Sequence, residues 1–313
     1  MTRSIFTVPM TDCVLVGTRH LPRIGLAERA HVGLLMVNAG PAPRAGNGDL
    51  SARLCDRCAD SGVPGFRIDF QGLGDSSGKS WAAIEEYGIA SQGGTNDVQL
   101  MTVMEHICIE NGLERLYVGG LCAGAICAVR IAAKQSDRVA GLVLFEPDFR
   151  DVAIVTGCAR MGDSVASTRN HRIVRRLKRM QDFDHVLARV ASRSDAHFLL
   201  KPVARLAHRW IARRSARRLP ADAHLDSITA WMRSIELHQR TLVVLAGGAE
   251  NDMYFERVLR AVDLQEPGLV ERVAIPRTNH LLTSDGAIER AIDAVMTWMQ
   301  STARSSLVRT NSH

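Results

Sequence analysis

A cysteine between two glycines is the feature of this sequence most able to do chemistry. The segment Gly120-Leu-Cys-Ala-Gly124 follows a short apolar run and precedes a helix-like run. In a G-x-nucleophile-x-G turn the nucleophile lies in a tight, strained bend, so its neighbours two positions away need almost no side chain. The helix that follows offers backbone N–H groups to a developing negative charge. The pattern predicts that Cys122 is a nucleophile, and the alternative is a structural cysteine buried in a glycine-rich turn.

The elements that must position Cys122 alternate between strand-like and helix-like runs. The predicted strands are 12–18, 31–38, 65–70, 115–120, 139–145, 241–246 and 270–275, and the predicted helices are 49–61, 92–111, 123–136 and 285–303. Several strands are nearly continuous apolar runs, which is typical of parallel strands covered on both faces. The alternation predicts an α/β fold with a doubly wound, mostly parallel sheet, formed by residues 1–149 and 236–303.

The alternation stops near residue 150, and residues 150–235 are predicted to form an inserted helical cap. Residues 150–220 hold 17 Lys and Arg against 5 Asp and Glu, whereas the rest of the chain holds 22 against 28. Such a basic segment favours an anionic substrate or carrier, for example a coenzyme A-linked, acyl-carrier-protein-linked or carboxylated compound. The alternative is a solvated helix face without a specific partner. The polar residues 304–313 are predicted to be a disordered tail.

Two further motifs support a family resemblance. Residues 66–78, Phe-Arg-Ile-Asp-Phe-Gln-Gly-Leu-Gly-Asp-Ser-Ser-Gly, follow an early strand with an R-x-D-x-x-G-x-G-x-S pattern, and residues 38–44, Asn-Ala-Gly-Pro-Ala-Pro-Arg, follow the strand before it. With the cysteine turn, this order resembles the α/β-hydrolase superfamily of the serine-aminopeptidase-like type. It is closer still to small hydrolases found beside exosortases and in secondary-metabolite gene clusters. The resemblance covers about residues 30–150 and 240–300.

The resemblance implies a catalytic triad and an oxyanion loop. The family's histidine and acid match His280, on a loop after the last strand, and Asp252, after the preceding strand. Glu250 is the main rival for the acid and Glu146 a weaker one. The nucleophile, acid and histidine then follow the chain order of this fold.

Backbone N–H groups are expected to bind the oxyanion. The resemblance assigns them to Ala123, directly after the nucleophile, and to Ala39 or Gly40 in the loop after the early strand. Dienelactone hydrolases share the Cys-Asp-His composition, although their other motifs are not evident in this chain.

A cysteine nucleophile favours acyl transfer, because a thioester intermediate passes readily to amines and alcohols. The predicted function is therefore an esterase, thioesterase or acyltransferase with a Cys122–His280–Asp252 triad, acting on a small or carrier-linked acyl compound. Two alternatives are a lyase that uses His280 as a base and a non-catalytic binding protein with the same fold.

The composition restricts the other possibilities. Aromatic residues form only 5 % of the chain, and no motif interleaves them with the arginines, so nucleic-acid binding is not expected. Neither a signal-peptide pattern nor a membrane-length apolar run is evident, which predicts a cytoplasmic protein. Cys55 and Cys58 lie in a helix-like stretch without a second ligand pair and are expected to be ordinary helix cysteines. No metal or organic cofactor is predicted, and the oligomeric state stays open.

Overall fold

The described part of the chain forms one mixed sheet of eight strands. The computed structural model describes residues 1–23, 31–81, 87, 91, 94–147, 240–246 and 269–310. The strands are β1 (Thr2–Pro9), β2 (Val14–Leu21), β3 (Val32–Val37), β4 (Gly65–Asp69), β5 (Arg115–Leu121), β6 (Val139–Phe145), β7 (Arg240–Ala246) and β8 (Val270–Ile275). Their spatial order is β1-β2-β4-β3-β5-β6-β7-β8. β2 is antiparallel to β1 and β4, and all other neighbouring strands are parallel.

The central parallel strands, β3 to β7, are buried, and their sequences are mostly apolar, whereas β8 at the edge has one buried residue. Every residue of β4 is buried. In each of β3, β5, β6 and β7, all residues but one are buried. Each fully buried Val, Leu or Phe side chain contributes about 1.5–3 kcal/mol relative to an exposed one. This burial on both faces explains why the strands lack the alternating pattern of a half-exposed sheet.

Four α-helices complete the described fold: α1 (Leu50–Asp60), α2 (Asp97–Asn111), α3 (Ala123–Lys134) and α4 (Ala287–Thr310). α1 and α4 contribute to one apolar cluster with β3, β5, β6 and β7. α2 and α3 contact each other, and α3 also packs on β5 and β6. α2 ends at Gly112, whose left-handed φ of 63° lets its N–H reach the carbonyls of Cys108 and Ile109.

All seven predicted strands are present, and β1 is the strand that the sequence reasoning did not predict. β1 forms the edge of the sheet and exposes most of its residues, so it lacks the apolar run that marks the central strands. α2 begins at Asp97 rather than near residue 92. α4 continues to Thr310, beyond its predicted end near residue 303. Residues 304–310, which were predicted to belong to a disordered tail, are therefore part of this helix. The predicted cap, residues 150–235, lies outside the described residues.

The cysteine pair on α1 agrees with its expected structural role. Cys55 and Cys58 are free and fully buried, and the thiol of Cys55 donates to the carbonyl of Phe66. Burial raises the pKa of Cys58 to about 12. Both side chains therefore act as small apolar groups in the core. Among the described helices, none is long and apolar enough to cross a bilayer.

Candidate active site

The register of the parallel strands brings the ends of β3, β5 and β6 together at the carboxyl edge of the sheet. Val37 of β3 pairs with Gly120 of β5, and Leu121 of β5 pairs with Phe145 of β6. The segments that follow these strands therefore leave the sheet side by side. Open parallel sheets bind their ligands at this edge. The residues that follow β3, β5 and β6 begin with Asn38, Cys122 and Glu146.

Cys122 lies in the strained turn that the sequence predicts. Its φ is 55° and its ψ is −113°, a conformation that L-residues rarely adopt, and α3 starts at the next residue. A Cβ on Gly120 would lie 2.6 Å from the carbonyl carbon of Gly124, and one on Gly124 would lie 2.5 Å from the carbonyl oxygen of Asn38. Both glycines are thus required by close backbone contacts. The turn has the backbone geometry of the elbow that the glycine spacing predicts.

His280 is presented by a loop between β8 and α4 that one asparagine organises. The side-chain oxygen of Asn279 accepts from the N–H groups of Leu281 and Thr283, both at 3.1 Å. The side-chain nitrogen of Asn279 donates to the Thr283 hydroxyl at 2.8 Å. Arg277, at a φ of 57°, turns the chain just after β8. These local bonds fix the backbone on both sides of His280.

The imidazole of His280 lies between the candidate nucleophile and a carboxylate. Its Nδ1 lies 3.2 Å from Oε2 of Glu146, and its ring also forms a hydrogen bond with Cys122. Burial lowers the pKa of His280, but the hydrogen bonds and negative charges of Cys122 and Glu146 outweigh it and raise the pKa to about 10. Because Nδ1 faces Glu146, Nε2 is the nitrogen available to Cys122. A charged imidazolium is therefore favoured at neutral pH, with the sulfur beside it.

Glu146 is held rigidly at the end of β6. Its side chain is fully buried, its N–H donates to the carbonyl of Val244 at 2.9 Å, and its Oε1 accepts from the N–H of Ala246. Its φ of 46° aims the chain away from the strand. One carboxylate oxygen is thus bound by β7 and the other faces His280. This arrangement is that of an acid which orients a catalytic histidine.

The sequence favours Asp252, and then Glu250, over Glu146 as the acid. Both of those residues lie outside the described residues, so the structure does not describe the preferred acid. Glu146 is the carboxylate that the described residues bring to His280. The signal for it was present, since an acidic residue directly follows a buried strand, but its closeness to His280 depends on the order of strands in the sheet.

The expected oxyanion groups flank Cys122. Ala123 is the first residue of α3, where backbone N–H groups have no acceptor within the helix. Ala39 and Gly40 directly follow Asn38, whose carbonyl oxygen approaches Gly124. Ala39 and Cys122 pack against the same apolar cluster. The segments that carry the expected oxyanion groups thus follow neighbouring strands at the same edge of the sheet.

The exposure of Cys122 distinguishes it from the other described cysteines. Five of them, Cys13, Cys55, Cys58, Cys108 and Cys127, are buried, and Cys122 is the one with partial exposure. A nucleophile must be reachable by substrate, whereas a buried thiol is inert.

Within the described ranges, no group of three His, Cys, Asp or Glu residues could hold a metal ion.

A surface groove of about 360 Å³ borders the histidine loop. It is lined by Leu281 and Leu282, which directly follow His280, and by residues around the start of α4. Cys122, Glu146 and His280 do not line it. The groove is therefore a neighbour of the candidate site and not the space above the sulfur.

Comparison with solved structures identifies the fold. A haloalkane dehalogenase loop variant from Bradyrhizobium elkanii matches with a TM-score of 0.58 and 13 % identity, over 98 % of this chain and 100 % of that one. A dienelactone hydrolase from Anabaena variabilis matches with a TM-score of 0.56 and 12 % identity, over 96 % and 97 %. An esterase from Thermogutta terrifontis matches with a TM-score of 0.51 and 17 % identity, over 96 % and 99 %. The chain has the α/β-hydrolase fold.

The α/β-hydrolase fold explains why the candidate residues converge. No protein-family model matches the sequence, and no curated protein matches it either. At these low identities the structural neighbours establish the fold and leave the reaction to the site itself. In an α/β-hydrolase the elbow after a central strand meets loops from neighbouring strands at one edge. Cys122, Glu146 and His280 meet in this way.

Proposed function

We propose that the protein is an acyl-transfer enzyme, an esterase, thioesterase or acyltransferase of the α/β-hydrolase type, with Cys122 as its nucleophile. The observation that carries the proposal is the position of His280, which contacts the Cys122 thiol on one side and lies 3.2 Å from the Glu146 carboxylate on the other. A nucleophile, a base and an orienting carboxylate in one line form the arrangement that covalent acyl chemistry requires.

In the first half-reaction the proton shared by Cys122 and His280 lies on the ring, which makes the sulfur nucleophilic. A protonated His280, whose pKa is raised to about 10, stabilises negative charge on Cys122. The sulfur attacks the carbonyl carbon of an ester or thioester, and a carbon–sulfur bond forms. The carbonyl oxygen takes the negative charge, which the N–H groups of Ala123 and of Ala39 or Gly40 bind. When the intermediate collapses, His280 gives its proton to the leaving oxygen or sulfur, and a thioester remains on Cys122.

The second half-reaction reverses these roles. Neutral His280 now takes a proton from water, or from an alcohol, amine or thiol, and that acceptor attacks the thioester carbon. The carbon–sulfur bond breaks, and the sulfur and imidazolium return to their starting charges. Hydrolysis and transfer differ only in the acceptor. A thioester is more reactive toward amines and alcohols than an oxygen ester, so a cysteine nucleophile favours transfer.

In this proposal Glu146 fixes the Nδ1–H tautomer of His280 and stabilises its charge. Two observations support this role. The carboxylate of Glu146 is completely buried, and its Oε1 accepts from the Ala246 N–H while its Oε2 faces the ring of His280. Asp252 stays the alternative acid proposed from the sequence. The two assignments predict different variants to be inactive.

The proposed substrate is a small or carrier-linked acyl compound with an anionic group. The support is the balance of 17 Lys and Arg against 5 Asp and Glu in residues 150–220. Phosphate groups of coenzyme A or an acidic carrier protein are complementary to such a segment. A cytoplasmic location and a role in secondary metabolism belong to this proposal as well.

The two competing functions leave features of the site unexplained. A lyase that uses His280 as its base would have no need for the thiol that forms a hydrogen bond with the ring of His280. A non-catalytic binding protein would have no need for the strained backbone of Cys122, at a φ of 55°, or for the buried Glu146 behind His280.

The experiment that tests the proposal is intact-mass spectrometry after brief exposure to an acyl thioester and to an activated aryl ester. Wild type should gain one acyl group. Cys122→Ala should gain none, and His280→Ala should gain it at least about 10²-fold more slowly, since a positioned acid–base group contributes about 10²–10⁴-fold. Cys13→Ala is the matched control, because Cys13 is a free cysteine outside the candidate site, and it should acylate like wild type.

The outcome separates the three functions. No adduct on wild type, together with a Cys122 that alkylates no faster than a free thiol, would overturn the covalent mechanism. Turnover of a biosynthetic intermediate that survives Cys122→Ala and disappears in His280→Ala would establish a lyase. A protein without either activity that binds an anionic ligand would be a binding protein.

A further inference from the structure

Asn38, the first residue of the expected oxyanion loop (residues 38–44), is bonded through every polar atom of its side chain. It is only 3 % exposed. Its Oδ1 accepts from the N–H of Phe70 at 2.9 Å, and its Nδ2 donates to the carbonyl of Ala42 at 2.8 Å and to Oδ1 of Asp69 at 3.0 Å. The Ala42 N–H in turn donates to the carbonyl of Ala39 at 3.2 Å. These bonds close a turn around residues 39–41, which include the expected oxyanion N–H groups.

The far end of the oxyanion loop is bound to the same carboxylate. The N–H of Arg44 donates to Oδ1 of Asp69 at 2.6 Å, and its guanidinium pairs with Oδ2. The guanidinium also contacts Asp75 at 2.8 Å and donates to the Thr18 hydroxyl at 2.9 Å. Asp69 is fully buried, so these charge-assisted bonds are strong and poorly screened. Both ends of the loop are thus tied to the end of β4.

The main chain of Asn38 is also in contact with the elbow. A Cβ on Gly124 would lie 2.5 Å from the Asn38 carbonyl oxygen, so the first turn of α3 packs directly against this residue. Asn38 therefore touches the nucleophile's helix through its backbone and Asp69 through its side chain. A shift of Asn38 would move the N–H groups of Ala39 and Gly40 relative to the sulfur of Cys122.

We propose that Asn38 is a positioning residue for the oxyanion site: its side chain, bonded to Asp69 and to Ala42, sets the distance between the loop N–H groups and Cys122. The inference rests on the proposed acyl chemistry of Cys122. It goes beyond that chemistry because it assigns a role to a side chain that touches neither substrate nor sulfur. Displacements of about 1 Å at such a site cost about 10²-fold in rate.

The test compares two reactions of the same sulfur. Acylation by an activated aryl ester passes through an oxyanion, whereas alkylation by iodoacetamide does not. Asn38→Ala should lower kcat for the ester about 30- to 100-fold, with KM and the alkylation rate both within about threefold of wild type. Arg44→Lys keeps the charge opposite Asp69 and Asp75 but loses the guanidinium fork, so a loss of about three- to tenfold in kcat is expected.

The matched control is Ser76→Ala. Ser76 donates to the main-chain carbonyl of Asp69 at 2.6 Å and accepts from Val16 on β2, so its loss weakens the same region without touching the oxyanion loop. Ser76→Ala should lower the melting temperature as Asn38→Ala does and keep kcat within about twofold, because its two hydrogen bonds join β2 and β4 and do not reach the oxyanion loop.

Each result has one meaning. Equal losses of acylation and alkylation in Asn38→Ala, or an equal loss of kcat in Ser76→Ala, would show a purely structural role and overturn the inference. An unchanged kcat in a folded Asn38→Ala would also overturn it. Failure of wild type to acylate would instead refute the proposed function. If Asn38→Ala does not fold, Asn38→Ser decides the question, because its hydroxyl can still form a hydrogen bond in the same pocket but cannot replace the bonds to Phe70, Ala42 and Asp69 together. An unchanged kcat in that variant would overturn the inference.

Discussion

His20 and His280 each have a carboxylate at Nδ1, and they differ in what faces the other nitrogen. His20, on β2, has Nδ1 at 2.8 Å from Asp56, and its Nε2 accepts from the Nε of Arg67 at 2.9 Å. His280 has Nδ1 at 3.2 Å from Glu146 and forms its other hydrogen bond with Cys122. The two carboxylate contacts are similar. The partner of Nε2 is a cation in one case and a thiol in the other.

The pKa of the ring is shifted in opposite directions at the two sites. His20 is fully buried, and burial is the largest cause that lowers its pKa, while the charge of Arg67 lowers it further. Asp56 opposes these effects but does not overcome them. At His280 both partners are anionic or can become so, and the pKa rises to about 10. The pKa of a histidine beside a carboxylate is thus lowered at His20 and raised at His280, and the second partner of the ring contributes to that difference.

The largest expected effect comes from replacing each histidine with glutamine. His280→Gln should lower single-turnover acylation by about 10³-fold, because no group remains to protonate the leaving atom. His20→Gln should keep acylation within about twofold and lower the free energy of unfolding by about 1–3 kcal/mol, because Arg67 and Asp56 lose a buried partner. Stopped-flow acylation and urea unfolding measure the two effects. A large loss of acylation in His20→Gln would contradict the comparison.

The next largest effect is expected at the carboxylates. Glu146→Gln should lower acylation about 10²-fold and move the alkaline limb of the kcat/KM pH profile to lower pH, because the pKa of His280 loses a negative neighbour. Asp56→Asn, the same change at the other histidine, should leave the profile unmoved. If Asp252→Asn loses activity and Glu146→Gln does not, Asp252 is the acid.

The two histidines should also stabilise the fold at opposite ends of the pH scale. The pKa of His20 is lowered from 6.5, so its contribution is complete above pH 6.5 and is lost as pH falls through the folded-state value. The pKa of His280 is raised from 6.5 to about 10, so its contribution is complete below pH 6.5 and is lost as pH rises through about 10.

Urea unfolding of wild type and of each glutamine variant at pH 5, 7.5 and 10 tests these signs. The difference between wild type and His20→Gln should shrink toward pH 5, and that between wild type and His280→Gln should shrink toward pH 10. A His20 difference that grows in acid would mean that His20 is charged in the folded protein.

The smallest effect is expected at the edge of the His20 group. Arg3 pairs with Asp56, but its side chain is 52 % exposed. Exposed ion pairs contribute about 0–1 kcal/mol, so Arg3→Ala should lower the free energy of unfolding by no more than that. Acylation should not change. A loss of several kcal/mol in urea unfolding would show that Arg3 is essential to the His20 arrangement.

The sequence predicts the fold well because burial leaves a strong signal. Several of the seven predicted strands are marked by the apolar runs that central parallel strands need on both faces, and the elbow is marked by glycines that close backbone contacts require. β1 was not found, because an edge strand can be polar along most of its length. The apolar pattern of a segment reflects how deeply it is buried. β1 is the least buried of the described strands, so its sequence carries the weakest strand signal.

The arrangement around His280 was only partly predictable, because it depends on neighbours that are distant in the chain. The chain order of the resembling family pointed to Asp252. The pairing of Phe145 with Leu121 brings Glu146 beside the elbow. The local sequence pattern of a strand does not predict which strand will be its neighbour, or in which register. The bonds of Asn38 to Asp69 depend on β3 and β4 being neighbours in the same way.

The bond between Glu146 and Ala246 has a consequence for how this site could change over generations. β7 supplies a main-chain N–H to the proposed acid, and nineteen of the twenty amino acids carry that group. The side chain at position 246 is constrained by space alone, since the residue is fully buried. Small residues can therefore replace one another there without altering the chemistry, and proline is the substitution that natural selection should remove.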